Sequence, residues 1–330
     1  MVEGEACDEE AVCYLCLDGG ADDDGQPLRR DCACRGTDAG FVHLPCLTDY
    51  AATKSKAWDG RGMNLFRNPW LLCPSCNQVY QNELGIDIAT EFVSFVRRQY
   101  PNDTRMQVES LYVKLYALNS MLNRLQPVQK REAGVTANVL LSMIDRMKVD
   151  APLLPRRYSQ MEAFAYITHG RIAFAEGTGE SARRAVTHFE KELEVSETIG
   201  DDEGIATAKS NIALAKSNYE VGNNNDELLK ASRELYEMCV AEQGEGSKLT
   251  IHAGKNYAEI LQKANRGGEA RELLTKLLAI SKQVLGPHHS TTKSVDNALI
   301  WINFITFIKY SVFVCILIGV MAMLYQLAKS

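Results

Sequence analysis

Four pairs of metal-seeking side chains crowd one stretch of this sequence: Cys13-x2-Cys16, Cys32-x-Cys34, His43-x2-Cys46 and Cys73-x2-Cys76. Thiolate sulfur and imidazole nitrogen are the donors Zn²⁺ prefers, and a short Cys-x2-Cys loop brings two of them to one ion through a tight turn. Each pair is half of a tetrahedral site, so the eight donors predict two Zn²⁺ ions. Spacing alone leaves open how the four pairs join. Four protein ligands per ion leave no position for water, so the zinc is expected to be structural, with no hydrolytic role.

The remaining cysteines do not extend this site. Of ten in the chain, only Cys7, Cys239 and Cys315 lie outside residues 13–76, which describes a metal cluster and not a disulfide framework. The N-terminus MVEGEACDEE is acidic and lacks the basic-then-apolar order of a secretory leader, so the thiols are expected to face the cytosol. Neither Cys7 nor Cys239 has a recognisable base beside it, which argues against a covalent cysteine intermediate. With a net charge of −6 and no cluster of Lys and Arg, nucleic acid is not an expected partner. The run Asp22-Asp23-Asp24-Gly25 lacks the spaced acidic ligands of a calcium loop and reads as a solvated turn.

Seven cysteines with a histidine in fifth place, together with Cys34-Arg35-Gly36 and Phe41-Val42-His43-Leu44-Pro45-Cys46-Leu47, resemble the RING-CH finger of membrane-associated ubiquitin ligases. The resemblance covers residues 13–80 and implies a small α+β finger with cross-braced zinc. Cys13, Cys16, His43 and Cys46 would hold one ion, and Cys32, Cys34, Cys73 and Cys76 the other. It implies a shallow apolar groove for a ubiquitin-conjugating enzyme, formed at matching positions by Leu15, the stretch Trp70 to Leu72, and Pro74. Two positions depart from the family pattern: Tyr50 stands where close relatives often have Trp, and Asn77 follows the last cysteine where active ligases often have a basic residue. A PHD-type chromatin reader shares the ligand order. It usually has more residues between the third and fourth ligands, and an aromatic two places before the seventh, whereas Trp70 stands three places before Cys73.

The ligands need elements to position them and a second surface to choose a substrate. Residues 1–12 read as an acidic tail. From Asn82 to Tyr100, Ile86, Ala89, Val93 and Val96 recur at helical spacing up to Pro101, predicting a helix over 82–100 that caps the finger. The finger itself has few long apolar runs, so metal is expected to replace a core there. Residues 106–299 alternate helix-forming stretches with Gly, Asn and Asp breaks, and predict an all-α unit.

Within it Asn211-Ile212-Ala213, Asn256-Tyr257-Ala258 and Asn297-Ala298-Leu299 recur, each after a break: Gly200 to Gly204, Gly244 to Gly246, and Gly286-Pro287. Between breaks, Ala182 to Glu197, Glu227 to Glu242 and Glu269 to Val284 are each long enough for a helix. Helix pairs at a period of about 40–45 residues stack into a solenoid. The break Leu285-Gly286-Pro287-His288-His289 resembles the tetratricopeptide repeats of kinesin light chains, and HEAT repeats share the period. In the tetratricopeptide reading Asn211 and Asn256 take inner-face positions, while His288 and His289 are cap or surface residues.

Residues 301–327 form the last segment. Tyr310 to Leu327 carries no charge, and as a helix it would span about 27 Å, just short of a hydrocarbon core of about 30 Å. It predicts a C-terminal apolar helix that anchors the chain in a membrane, leaving the finger in the cytosol; a final solenoid helix is the alternative. These observations together lead to the expectation of a RING-CH-type ubiquitin ligase with a repeat domain that selects a protein substrate. The other reading is a non-catalytic adaptor whose finger only binds.

Overall fold

In the computed structural model of the chain, residues 11–32, 34, 40–122, 124–151, 154–217, 225–287, 289, 291–305, 307–308 and 311 are described. They fall into two compact units that meet at Ile172 and Ala173. The boundary lies far beyond residue 100, so the finger and the first long helices belong to one unit.

The first unit opens with metal-binding loops and then runs through six helices. These are α1 (Leu44–Lys56), α2 (Met63–Arg67) with a 3-10 turn Asn68–Trp70 directly after it, α3 (Asn82–Gln99), α4 (Thr104–Ser120), α5 (Pro127–Asp150) and α6 (Arg156–Phe174). Pro45 occupies the first turn of α1, where its missing N–H costs nothing. The predicted helix over 82–100 is α3, ending one residue before Tyr100 and Pro101. Its own N-cap, Gln81, contributes no side-chain bond. Asp31 supplies the cap from across the fold, its carbonyl accepting from Gln81 N–H at 2.7 Å and its carboxylate from Asn82 Nδ2 at 2.9 Å. One turn on, Asp87 pairs with Arg29 at 2.5 Å.

Two expectations about the finger need correction. No strand forms among the described residues; there are four isolated bridges, Val12 with Gly19, Ala21 with Pro27, Arg29 with Val42 and Leu72 with Val79. Loops tied every few residues to a metal ligand leave no length for a ladder, so the described part of the finger is loops and helices, not α+β. Nor does metal replace the core. Leu47, Ala51, Phe66 and Trp70 of the finger are fully buried with Leu84, Ile88, Phe92 and Phe95 of α3 in one cluster. The Trp70 indole stacks on Phe92 with ring centres 5.1 Å apart and meets Phe95 at the same distance. Its N–H donates to Ser55 Oγ at 2.7 Å, and Ser55 in turn donates to the Phe66 carbonyl at 2.9 Å. The amphipathic side of α3 thus finishes a core that the finger begins.

The second unit contains α7 (Gly179–Thr198), α8 (Asp202–Lys216), α9 (Asn225–Gln243), α10 (Lys248–Lys263) and α11 (Gly267–Val284), with a further helix, α12, starting at residue 291. The three strings predicted between breaks are α7, α9 and α11, and the Asn-bearing segments lie in α8, α10 and α12. The breaks are built alike. Gly200, Gly244 and Gly286 each take positive φ, which a side chain would oppose, and a side-chain cap follows: Asp201 for α8 and Ser247 for α10. Thr250 donates to the Cys239 carbonyl at 3.0 Å, and Thr292, in the equivalent place, to the Ser281 carbonyl at 3.2 Å. Gly254 is the close-packing point of α10, since an added Cβ would come within 2.8 Å of both Leu277 and Tyr236.

The apolar segment Tyr310 to Leu327 lies, apart from Ser311, outside the described residues. Among the described residues no helix is long and apolar enough to cross a membrane.

Replacing Trp70 with Ala removes an indole packed against Phe92 and Phe95 and takes from Ser55 Oγ the donor it accepts from. The expected loss is about 3–5 kcal/mol of stability in the first unit, measured by chemical denaturation. A loss below about 1 kcal/mol would show that the aromatic cluster does not hold the finger to α3.

Candidate metal centre

The two ends of the zinc-ligand sequence fold into matching turns. In the first, Cys13 N–H donates to the Asp18 carbonyl and Leu17 N–H to the Cys13 carbonyl, both at 2.8 Å; in the second, Cys73 donates to Gln78 at 2.9 Å and Asn77 to Cys73 at 2.8 Å. The bridges Val12–Gly19 and Leu72–Val79 close the two hairpins. In each, the residue after the second cysteine must turn left-handed, with φ of 68° at Leu17 and 53° at Asn77. Asparagine tolerates that region better than most side chains. The conformation thus gives a local reason for Asn77 where the family pattern favours a basic residue.

The remaining ligands come from the loop at 32–34 and from the start of α1, where His43 is the N-cap residue and Cys46 lies in the first turn. Two groups result: Cys13, Cys16, His43 and Cys46, and Cys32, Cys34, Cys73 and Cys76. Within each group all donor atoms lie within 4.8 Å of one another. This is the cross-brace, first pair with third and second with fourth, which spacing had left open.

The donor sets fit Zn²⁺. Metal–sulfur bonds of about 2.3 Å place sulfurs about 3.8 Å apart on a tetrahedron. Cys34 and Cys73 sulfurs are 3.7 Å apart, and His43 Nδ1 lies 3.4 Å from Cys16 Sγ and 3.8 Å from Cys46 Sγ. His43 Nδ1 faces the sulfurs while Nε2 sits 3.3 Å from the Gly20 carbonyl, the outer contact that assigns the proton to Nε2 and the lone pair to the metal side. Burial, then the neighbouring sulfurs, pushes Cys34 and Cys46 upward, Cys46 to about 12. Cys13 goes the other way, to about 7: burial opposes ionisation there, but backbone N–H groups of Cys16, His43 and Leu15 outweigh it. Sulfurs this crowded favour the thiolate form together only with a cation among them, so metal uptake is coupled to proton release.

Two supports were not visible in the sequence. Gly40 has φ of 88°, and a Cβ there would come within 2.8 Å of Cys34 Cβ and 3.0 Å of Cys32 Sγ, so the bare glycine makes room for the second cluster. Arg30 donates to the Cys34 carbonyl at 2.9 Å while its guanidinium lies over the Phe41 ring. Of the residues expected at a partner groove, Pro74 is exposed and Leu15 and Leu72 are half-buried. Trp70 is fully buried and supports that loop from inside. Val12 and Leu17 add exposed apolar surface beside Leu15.

In the second unit the repeated asparagines do not both line an open face. Asn256 is only 2% exposed, and its amide donates to Ser210 Oγ of α8 at 2.8 Å. Asn211 Oδ1 lies 3.3 Å from His252 Nε2, and that nitrogen lies 3.4 Å from the Asn256 amide. Beside this chain, Glu192 of α7 is fully buried with neither carboxyl oxygen in a formed hydrogen bond. Burial raises it well above the usual carboxylate range, and the Asn211 amide only partly offsets that. His289 accepts from Thr291 N–H at 3.1 Å and so caps α12; His288 lies outside the described residues.

Residues 13–58 match the RING-variant domain family. No curated protein matches the chain. Among solved structures, a protein described as a Podosopora anserina kinesin light chain with nearly identical TPR-like repeats is 12% identical, covering 73% of this chain and 95% of its own, with a TM-score of 0.41. A point variant of it gives 0.42 at the same identity and coverage. The chain therefore carries a RING-variant finger with two four-ligand cysteine and histidine clusters that fit two Zn²⁺ ions.

Gly40→Ala is expected to weaken the Cys32, Cys34, Cys73, Cys76 site and spare the other, lowering bound zinc from two toward one per chain by elemental analysis. Retention of both ions through dialysis against a chelator would refute that role. Glu192 titrates higher folded than unfolded, so its contribution to the second unit's stability is fully present below about pH 4.3 and is lost as pH rises through the raised value. Glu192→Gln should remove this trend and raise the urea midpoint at pH 7. A midpoint unchanged at pH 7 would mean the carboxyl finds a donor in solution.

Proposed function

We propose that this chain is a RING-CH-type ubiquitin ligase. The cross-braced eight-ligand finger, six of whose ligands lie within the RING-variant match at 13–58, is the observation that carries the reading. In such a ligase the zinc ions would be structural: Cys13, Cys16, His43 and Cys46 with one, and Cys32, Cys34, Cys73 and Cys76 with the other, would fix two hairpins at a set separation. Leu15 on the first hairpin, and Leu72 and Pro74 on the second, then present apolar surface to a ubiquitin-conjugating enzyme, with Leu17 widening it. The finger forms no bond to ubiquitin. It holds the enzyme's thioester in a reactive conformation beside a substrate lysine, which is catalysis by positioning.

Substrate choice is assigned to the helical unit, through side chains left exposed on the repeats. The segment Tyr310 to Leu327 is assigned as a membrane anchor that keeps the finger on the cytosolic side, on the strength of its length and lack of charge. One observation favours a non-catalytic adaptor instead: the exposed Asn77 puts no positive charge where ubiquitin would pass.

The deciding experiment is ubiquitin transfer by the full chain with a panel of charged conjugating enzymes, comparing wild type with Leu15→Ala and Cys34→Ser. A ligase makes chains, loses about tenfold or more of its rate in Leu15→Ala, and loses activity in Cys34→Ser. Zinc-loaded, folded protein that discharges no enzyme in the panel would establish the adaptor.

A further inference from the structure

Helix α12 has two apolar faces. On one, Val295 and Ile302 are buried and, with Ala298 and Leu299, join the core made with α10 and α11. On the other, Ile300, Trp301, Phe304, Phe307 and Ile308 are exposed by 60, 60, 51, 69 and 43%. Their spacing follows the helical period, so they form one stripe, and the Trp301 and Phe304 rings are 5.9 Å apart within it. Five large apolar side chains in a row are not a scatter of single exposed residues but a contiguous patch that calls for a partner.

The sequence that follows the stripe bears on what covers it. It is followed by Lys309 and then by the uncharged run Tyr310 to Leu327. Between Asn303 and Gly319 there is no Gly, Pro, Asn or Asp, the stronger turn formers that would bring the chain back across α12, and Ser311 is a weaker one. Trp and Phe favour the headgroup level of a bilayer, where a ring can be half in hydrocarbon, and a lysine there reaches lipid phosphate.

We propose that the outward face of α12 lies against the lipid headgroup and upper acyl region of a membrane. The last repeat itself, and no free linker, then joins the helical unit to the bilayer. This inference rests on the anchor reading of Tyr310 to Leu327 and adds to it a lipid contact made by the folded repeat domain. The repeats consequently have a fixed attitude to the membrane surface, and substrates reach them only from the open side.

The test uses the full chain reconstituted with phosphatidylcholine–phosphatidylserine vesicles, with and without bromine on shallow acyl carbons. The chain has three tryptophans: Trp70 is buried in the finger and Trp58 half-buried there, and Trp301→Phe removes the third while leaving the exposed site apolar. The expected result is co-flotation with vesicles and quenching by brominated lipid that falls at least threefold in Trp301→Phe. Co-flotation with equal quenching in both proteins would overturn the lipid contact and leave the anchor standing. Failure to float, with Trp301 unquenched, would overturn both. Trp301 unquenched in vesicles but buried in a concentration-dependent dimer would give the stripe to a second copy of the chain.

Discussion

Each metal site draws its two ligand pairs from distant stretches, and the two sites interleave. Closing the first brings Cys16 to His43 across 27 residues, and closing the second brings Cys34 to Cys73 across 39. Neither loop can open without loosening the other, because the second pair lies inside the span of the first site and the third pair inside the span of the second. Between Cys46 and Cys73 the chain leaves the metal and returns, and in that excursion it forms most of α1, then α2 and the 3-10 turn. Phe66 and Trp70 reach α3 because both ends of the excursion are pinned. The aromatic core thus depends on the same closure as the hairpins that carry Leu15 and Pro74.

A second tie runs through charge. Arg67, at the end of α2, lies 3.9 Å from the fully buried carboxylate of Glu109 on α4, and Arg157 of α6 donates to the same oxygen. Burial pushes Glu109 upward while Arg157 and then Arg67 pull it down; burial, then Arg157, lowers Arg67. Two guanidiniums around one buried carboxylate contribute little net stability, since desolvation consumes most of the attraction. Such a group is better understood as a register pin: α2 has one seat against α4 and α6, because any other leaves a charge buried and unpaired. The finger is therefore continuous with the helices that follow it, in its apolar core and in its ion pairs.

The ligands were legible because metal chemistry fixes residue type and spacing locally, and α3, α7, α9 and α11 because each carries its apolar period within one stretch. What escaped the sequence depends on partners brought together only by folding. Asp31 caps a helix that begins 51 residues later. Gly40 reads as an ordinary loop glycine until the sulfurs of Cys32 and Cys34 are placed beside it. Trp70 has the composition of a contact residue in a loop, and only the position of Phe92 and Phe95 turns it inward. The β content that the family resemblance implied is reduced to isolated bridges among the described residues, because metal ligands interrupt every potential ladder.

The repeated asparagine shows how one sequence position can serve different ends along a repeat array. Asn256, in the middle, is buried and bonds α8; Asn211 is half-buried at the edge of the same polar chain; Asn297, on α12, is exposed. In a stacked array each repeat is covered by its neighbours, and an outer repeat leaves open what an inner one closes. A polar residue must be satisfied by the chain when it is covered and can be satisfied by water when it is not. Asn256 therefore specifies how α8 and α10 stack. Asn297 follows the other half of the rule: among the described residues no further repeat is laid over it, and it stays exposed.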